Sequence, residues 1–282
     1  IGLAGNLAHF QLGNKLGKDI PYGDQPTGYA LDPADTINYV SKHDNQTLWD
    51  NSQYRLAFDV TTADRIRMHN MSISYAMFAQ GIPFLHMGSE FLRSKSFLRD
   101  SYDYGDWFNA VDYTMTGNNY NVGLPPADKD KDNWPLINEV LTGHQGKDKV
   151  SGQDIKFSAD VFKDMLAIRT STPLFRLTTA EQVMSKLSFA NINGENHQKG
   201  LIVMKIDDTK GEPVDDSLDG IVVVFNNNNS EQFVEFENAD QFKLHAHQQS
   251  GADEQTKLSK ISTKGFNVPA LTTAVFVKRK SI

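Results

Sequence analysis

Apolar residues in the first half of the chain fall into short runs joined by long mixed stretches. Thr36-Ile37-Asn38-Tyr39-Val40-Ser41 is β-branched and aromatic and stops at the polar cluster Lys42-His43-Asp44-Asn45, which predicts a strand over 36–41. Thr61-Thr62-Ala63-Asp64 opens like a helix, and Ile66, Met71, Ile73, Tyr75, Met77 and Phe78 place apolar groups on most of its sides. That helix is expected to be largely buried and to stop at Gly81. Ile82-Pro83-Phe84-Leu85-His86 predicts a second strand, so the order strand, helix, strand reads as one βαβ unit of a parallel sheet. A further helix is predicted at about 157–169, where Phe157, Val161, Met165 and Ile168 recur at threes and fours and Pro173 lies just beyond.

The residues before Asp35, rich in Gly, Asp and Pro, read as mostly loop, as does the polar, turn-rich stretch from Gly88 to about Asp154. Compact domains reserve a connection of that length for function. After Pro173 the texture changes. Val183, Leu187 and Phe189 sit at even spacing, and Leu201 to Ile206, Ile221 to Phe225, Phe233 to Phe236 and Ala270 to Val277 are apolar runs between Gly, Asn and Asp turns. Strands without helices between them predict an antiparallel β-sandwich, with the boundary near Thr172. The expected fold class is therefore α/β plus all-β, with an α/β part over 1–172 and a sandwich over 173–282. The Asn226 to Asn229 run reads as a turn.

Composition narrows the function. The 282 residues are 39% hydrophobic and 22% charged, enough apolar material for a core. Lys and Arg total 28 against 35 Asp and Glu, 28 − 35 = −7, so nucleic acid and anionic membrane are poor partners. The absence of cysteine removes disulfides, thiolate metal sites and cysteine nucleophiles. No run reaches membrane-spanning length, and Ile1-Gly2-Leu3-Ala4-Gly5-Asn6 carries neither an initiator Met nor a basic leader, as expected of a piece of a longer polypeptide.

Parallel sheets carry their chemistry at the carboxyl ends of strands, where His43-Asp44-Asn45 falls. The pattern alone leaves two readings: a site, or a cap for the following segment with His43 satisfying a carbonyl. A second cluster, Ser101-Tyr102-Asp103-Tyr104-Gly105-Asp106-Trp107-Phe108-Asn109, follows Arg93, Lys95, Arg99 and Asp100. Aromatic rings among carboxylates and Arg suit a neutral, polyhydroxylated ligand. The same rings serve equally well as anchors for the loop. Asp128-Lys129-Asp130-Lys131-Asp132 alternates carboxylates as calcium loops do, but lacks the sixth-position Gly of an EF-hand, which favours a solvated turn and no metal site.

Asn38-Tyr39-Val40-Ser41-Lys42-His43-Asp44-Asn45-Gln46-Thr47-Leu48-Trp49-Asp50 resembles the fourth conserved region of the α-amylase family of glycoside hydrolases, in the form typical of type I pullulanases and limit dextrinases. Gln80-Gly81-Ile82-Pro83-Phe84 with Gly88-Ser89-Glu90 resembles the family's eighth barrel strand. Ser94-Lys95-Ser96-Phe97 through Trp107-Phe108-Asn109 resembles the pullulanase loop after it, and the likeness continues through Asn118 to Gly123 and Ser171 to Phe175.

The resemblance implies the C-terminal portion of a (β/α)8 TIM barrel, its seventh and eighth strand–helix units within 36–170, followed by a β-sandwich. It implies retaining hydrolysis of α-1,6-glucosidic bonds in pullulan, limit dextrins and related α-glucans. By position, Asp44 matches the carboxylate that stabilises the oxocarbenium-like transition state, and His43 the neighbouring histidine that donates to the same sugar. Asn45, Arg99, Asp100 and Trp107 are the expected substrate-binding residues.

Nothing before Asn38 resembles the motifs of the nucleophilic Asp or the acid/base Glu. The chain alone is therefore expected to be inactive and to need the upstream part of the same polypeptide, with most barrel strands outside it. No cofactor is required by this chemistry; calcium, which pullulanases often bind, is the one ion the resemblance suggests. Bacterial members of this form are exported or held at the cell surface, the signal lying upstream. A non-catalytic α-glucan-binding or structural module of the same origin is the rival reading, whereas a periplasmic sugar-binding protein would need two similar α/β lobes.

Overall fold

A computed structural model describes residues 1–192 and 197–281. Its contacts divide the chain into two compact units, one of Ile1–Asn38, Ser74–Pro83 and Lys163–Ile282, the other of Tyr39–Ile73 and Phe84–Phe162. This partition differs from a single boundary at Thr172, and packing inside the first unit supplies the reason. Tyr75 stacks on Phe225 with ring centroids 4.5 Å apart, Ser74 and Thr273 share a hydrogen bond of 2.8 Å, and the Gln80 amide donates to the Leu174 carbonyl. Residues distant in sequence thus share one core with the C-terminal strands.

Among the described residues of that unit, two antiparallel sheets face each other. The larger runs in the order Lys243–Leu244, Thr272–Arg279, Leu218–Asn226, Leu201–Asp207, Leu187–Phe189; the smaller in the order Gln232–Glu235, Gly265–Val268, Lys260–Ser262. Val203, Val222, Val224, Ala274 and Phe276 meet Val234, Phe266 and Val268 in a shared core, where Phe266 stacks on Phe276 at 4.2 Å. Strand residues alternate between faces. Val222 and Val224 therefore enter this core while Phe225 turns to Tyr75, and Leu218–Asn226 is buried on both sides.

Several predicted elements shift. Val183 lies in the helix Ala180–Lys186 and not in a strand, because Thr179 accepts from the Gln182 amide and caps a helix start. The four-residue helix Ala246–Gln249 interrupts the strand region. The Asn226 to Asn229 run does turn the chain, but Asn226 itself is fully buried and its amide spans the carbonyls of Ser230, Val268 and Pro269.

The parallel pair is present but short: Ile37–Asn38 pairs with Ile82–Pro83, against predicted strands of 36–41 and 82–86. Each of the two pairs only with the other among the described strands, and the Asn38 side-chain amide adds a hydrogen bond to the Gln80 carbonyl at 2.7 Å. Helix Thr62–Phe78 connects them. Gly81, at φ 95°, makes the turn into the second strand, where a Cβ would meet Thr36 at 2.6 Å. Arg169, on the helix Gly152–Thr170, closes the same corner by donating to the carbonyls of Met77, Ala79 and Gly81 at 2.7–2.9 Å.

The second unit holds more helix than a loop reading of 88–154 allows. Leu48–Arg55 starts at Thr47, whose hydroxyl accepts from the Asp50 amide. Trp134–Gly143 begins with a Pro in its first turn and buries Ile137 and Val140, three residues apart, beside Phe97. Trp49, Ile66, Leu92 and Ile155 form a second buried cluster.

Candidate functional site

His43, Asp44 and Asn45 follow the first parallel strand as an exposed loop before the helix Leu48–Arg55. Neither Asp44 nor Asn45 caps that helix; Thr47 does. The Asp44 side chain is 58% exposed, with His43 Nε2 3.4 Å from its Oδ1 and the Lys42 ammonium against its Oδ2. The Lys42 hydrogen bond holds the Asp44 carboxyl below the usual carboxylate range, with the charges of Lys42, His43 and Lys95 acting the same way, so the group is an anion at neutral pH. An ion pair this exposed is weak and opens readily to a competing hydroxyl.

The loop backbone is far better fixed than these side chains. Asn45 takes the left-handed conformation at φ 62°, which Asn tolerates, and its Oδ1 accepts from Arg99 Nε at 2.7 Å. Lys95, 1% exposed, donates from Nζ to the carbonyls of His43 (3.1 Å) and Arg99 (3.2 Å). Beneath them Asp50, fully buried, accepts from the Ser94 hydroxyl and the backbone amides of Lys95 (2.8 Å) and Phe97 (3.2 Å). Ser96 and Phe97 both sit at positive φ, a costly conformation that these bonds hold in place.

After the second strand, His86 Nδ1 lies 3.4 Å from the Ser41 hydroxyl, and Arg93 reaches His86, the Met87 carbonyl and the Asn109 carbonyl. Burial, with the neighbouring positive charges, lowers the His86 pKa to about 4, so the ring is neutral. Gly88 lets Arg93 pass: a Cβ there would meet the Arg93 side chain at 2.7 Å.

The structure thus brings Arg99 to Asn45 directly. Asp100 is exposed and lies 3.9 Å from Lys129, whose closer partner is Asp103 at 3.2 Å. The short helix Gly105–Asn109 separates two aromatics that the sequence could not: Phe108 is buried, whereas Trp107 is 65% exposed. In the 128–132 segment, Asp128 accepts from the Tyr104 hydroxyl and Asp130 from the Asn133 amide, within a one-turn helix and the turn after it. Among the described residues no three His, Asp or Glu side chains converge as a metal site. Asp50 and Lys95 were not candidates from sequence. Thr47-Leu48-Trp49-Asp50 did carry a helix-start signal, but nothing in the spacing marks Lys95 as the partner of a carbonyl 52 positions away.

A family model described as "Alpha-1,6-glucosidases, pullulanase-type, C-terminal" matches residues 115–279. A pullulanase of Klebsiella pneumoniae is 43% identical over 80% of the chain, and the chloroplastic pullulanase 1 of Arabidopsis thaliana 40% identical over 99%. The chain spans 21% and 30% of the lengths of these two relatives. Crystal structures of PulA from Klebsiella oxytoca and of the maltotriose complex of PulA from Klebsiella pneumoniae each superpose with a TM-score of 0.93 at 39% identity, covering 99% of this chain and 27% and 31% of theirs. The family match and the near-complete superposition agree, and the chain belongs to the pullulanase-type alpha-1,6-glucosidases, carrying their C-terminal part.

Proposed function

We propose that this chain is the C-terminal part of a debranching glycoside hydrolase that cleaves α-1,6-glucosidic bonds in pullulan, limit dextrins and related α-glucans with retention of configuration. In this reading residues 1–172 complete a (β/α)8 barrel, with 36–170 supplying its seventh and eighth strand–helix units, and 173–282 form the appended sandwich. The observation that carries the reading is Asp44: an ionised carboxylate, open to solvent, beside His43, on a loop held at the His43 carbonyl before it and at the Asn45 side chain after it.

Asp44 acts as the transition-state stabiliser. It accepts hydrogen bonds from hydroxyls of the sugar at the cleavage point, and those bonds strengthen as the ring flattens and gains positive charge. Opening the Lys42 pair frees it for this, and His43 donates to the same sugar. Arg99 and Asn45 hold the loop wall, Asp100 meets hydroxyls, and Trp107 offers an apolar ring face.

Nucleophile and acid/base come from the upstream part of the polypeptide, so the chain alone is inactive. The apolar residues left open on the parallel pair, Ile37 and Ile82, support such a partner, as do Tyr39 and Phe84 in the other unit. The parent enzyme works outside the cell or at its surface and requires no cofactor, with calcium the one ion the family resemblance suggests. The test is Asp44→Asn in the full-length enzyme: kcat on pullulan falls about a thousandfold, the scale of losing one interaction made in the transition state, with KM changed far less. A near-normal kcat overturns the assignment.

A further inference from the structure

The His43–Asp44 loop is fixed by an internal cation, and that cation has no place in the chemistry just described. Lys95 is 1% exposed, a rare condition for an ammonium group, which burial disfavours. Its main chain is anchored first: the Lys95 amide donates to Asp50 Oδ2 at 2.8 Å, and Asp50 belongs to the helix Leu48–Arg55. Its side chain then reaches the His43 carbonyl at 3.1 Å and the Arg99 carbonyl at 3.2 Å. Arg99 in turn donates from Nε to Asn45 Oδ1 at 2.7 Å. The ties therefore land on the residues immediately before and after Asp44, and both converge on Lys95.

We propose that Lys95 is a positioning residue for Asp44: by holding the His43 and Arg99 carbonyls from a helix-anchored backbone, it sets the direction in which the Asp44 carboxylate meets the substrate. Fixing the His43 carbonyl orients the peptide plane between His43 and Asp44, and with it the bond from which the Asp44 side chain departs. The exposed Asp44 side chain is free to exchange Lys42 for a sugar hydroxyl, while its backbone stays in register. A charged donor suits this task, because hydrogen bonds from an ammonium to carbonyls are stronger than neutral ones. The inference rests on the reading of Asp44 as the stabilising carboxylate.

The experiment is a double-mutant cycle in the full-length enzyme with pullulan as substrate. Lys95→Met keeps the length of the stem and removes the donors; it lowers kcat by about tenfold to hundredfold, the scale of a misplaced reacting group, with KM changed less than about threefold. In the Asp44→Asn background the same substitution lowers kcat less than about threefold, because the residue that Lys95 positions is already disabled. Equal losses in both backgrounds, or an unchanged kcat for Lys95→Met alone, overturn the inference. If Lys95→Met does not fold, Lys95→Gln, which retains an amide donor, carries the cycle; loss of fold in both makes Lys95 a folding residue and also overturns it. A near-normal kcat in Asp44→Asn refutes the reading of Asp44 itself, whereas a crippled Asp44→Asn beside an unaffected Lys95→Met refutes only the role of Lys95.

Discussion

Asp50 is the point at which the loop of residues 94–97 is fastened to the rest of its unit, and its substitution has a calculable effect. The carboxylate is fully buried and serves the Ser94 hydroxyl and the amides of Lys95 and Phe97. Removing it leaves three donors unpaired, each costing about 1–3 kcal/mol, so Asp50→Ala destabilises the chain by about 3–6 kcal/mol once the loop relaxes. Asp50→Asn retains one good acceptor and misplaces an amine, a loss of about 1–3 kcal/mol. Burial pushes the Asp50 carboxyl above the usual range, against the pull of its donors, so the neutral amide escapes the penalty that a buried charge carries. The order parent, Asn, Ala is therefore fixed in advance.

Urea unfolding followed by near-UV circular dichroism measures the stabilities, and amide hydrogen exchange at 94–97 reports the loop. Ser96 and Phe97, both at positive φ, are held there by this clamp, and their amides lose protection first. If Asp50→Ala falls within about 0.5 kcal/mol of the parent, the range of an ordinary surface change, the clamp is not what holds the loop.

Three further outcomes are expected. His69 is buried, with Nε2 2.7 Å from the Ser89 carbonyl, and its pKa lies at about 4 because of burial. The unfolded chain, titrating near 6.5, takes up the proton first, so stability is full above that pH. It falls by about 3 kcal/mol as the pH drops towards 4, and His69→Gln flattens that slope in urea titrations across the range. Tyr75→Ala removes the ring stacked on Phe225 and the hydroxyl that accepts from Asn227 at 2.6 Å, lowering stability by about 2–4 kcal/mol; a change under about 0.5 kcal/mol speaks against this contact as the link between the helix and the strand. Trp107→Ala in the full-length enzyme weakens maltotriose binding by roughly 1–3 kcal/mol without shifting Tm, because the ring is exposed. Unchanged affinity by titration removes Trp107 from the glucan contacts.

What the sequence made legible follows from where its signals are local. Continuous apolar runs marked Leu201–Asp207 and Leu218–Asn226, as expected of strands buried on both faces. The strand Gly265–Val268 escaped notice because only Phe266 and Val268 are bulky apolar residues in it. Val183 misled, as even spacing over a few residues does not separate a strand from a capped helix. Helix Trp134–Gly143 was readable from Pro135 and from Ile137 and Val140, but lay inside a stretch whose polarity suggested loop. Within the candidate site, His43 and Asp44 stood out because they are contiguous. Asp50 and Lys95 act through an amide and a carbonyl 45 and 52 positions away and Arg93 through a carbonyl 16 away, and main-chain partners leave no trace in side-chain spacing.

The most direct measurement is pullulan hydrolysis by the pure chain, with intact mass spectrometry confirming that no upstream polypeptide accompanies it. The expected result is no release of maltotriose by the chain alone, and release when the upstream part of the same enzyme is added, abolished again by Asp44→Asn. Maltotriose released by the chain alone would contradict the division of the catalytic groups, because nucleophile and acid/base would then lie within these 282 residues.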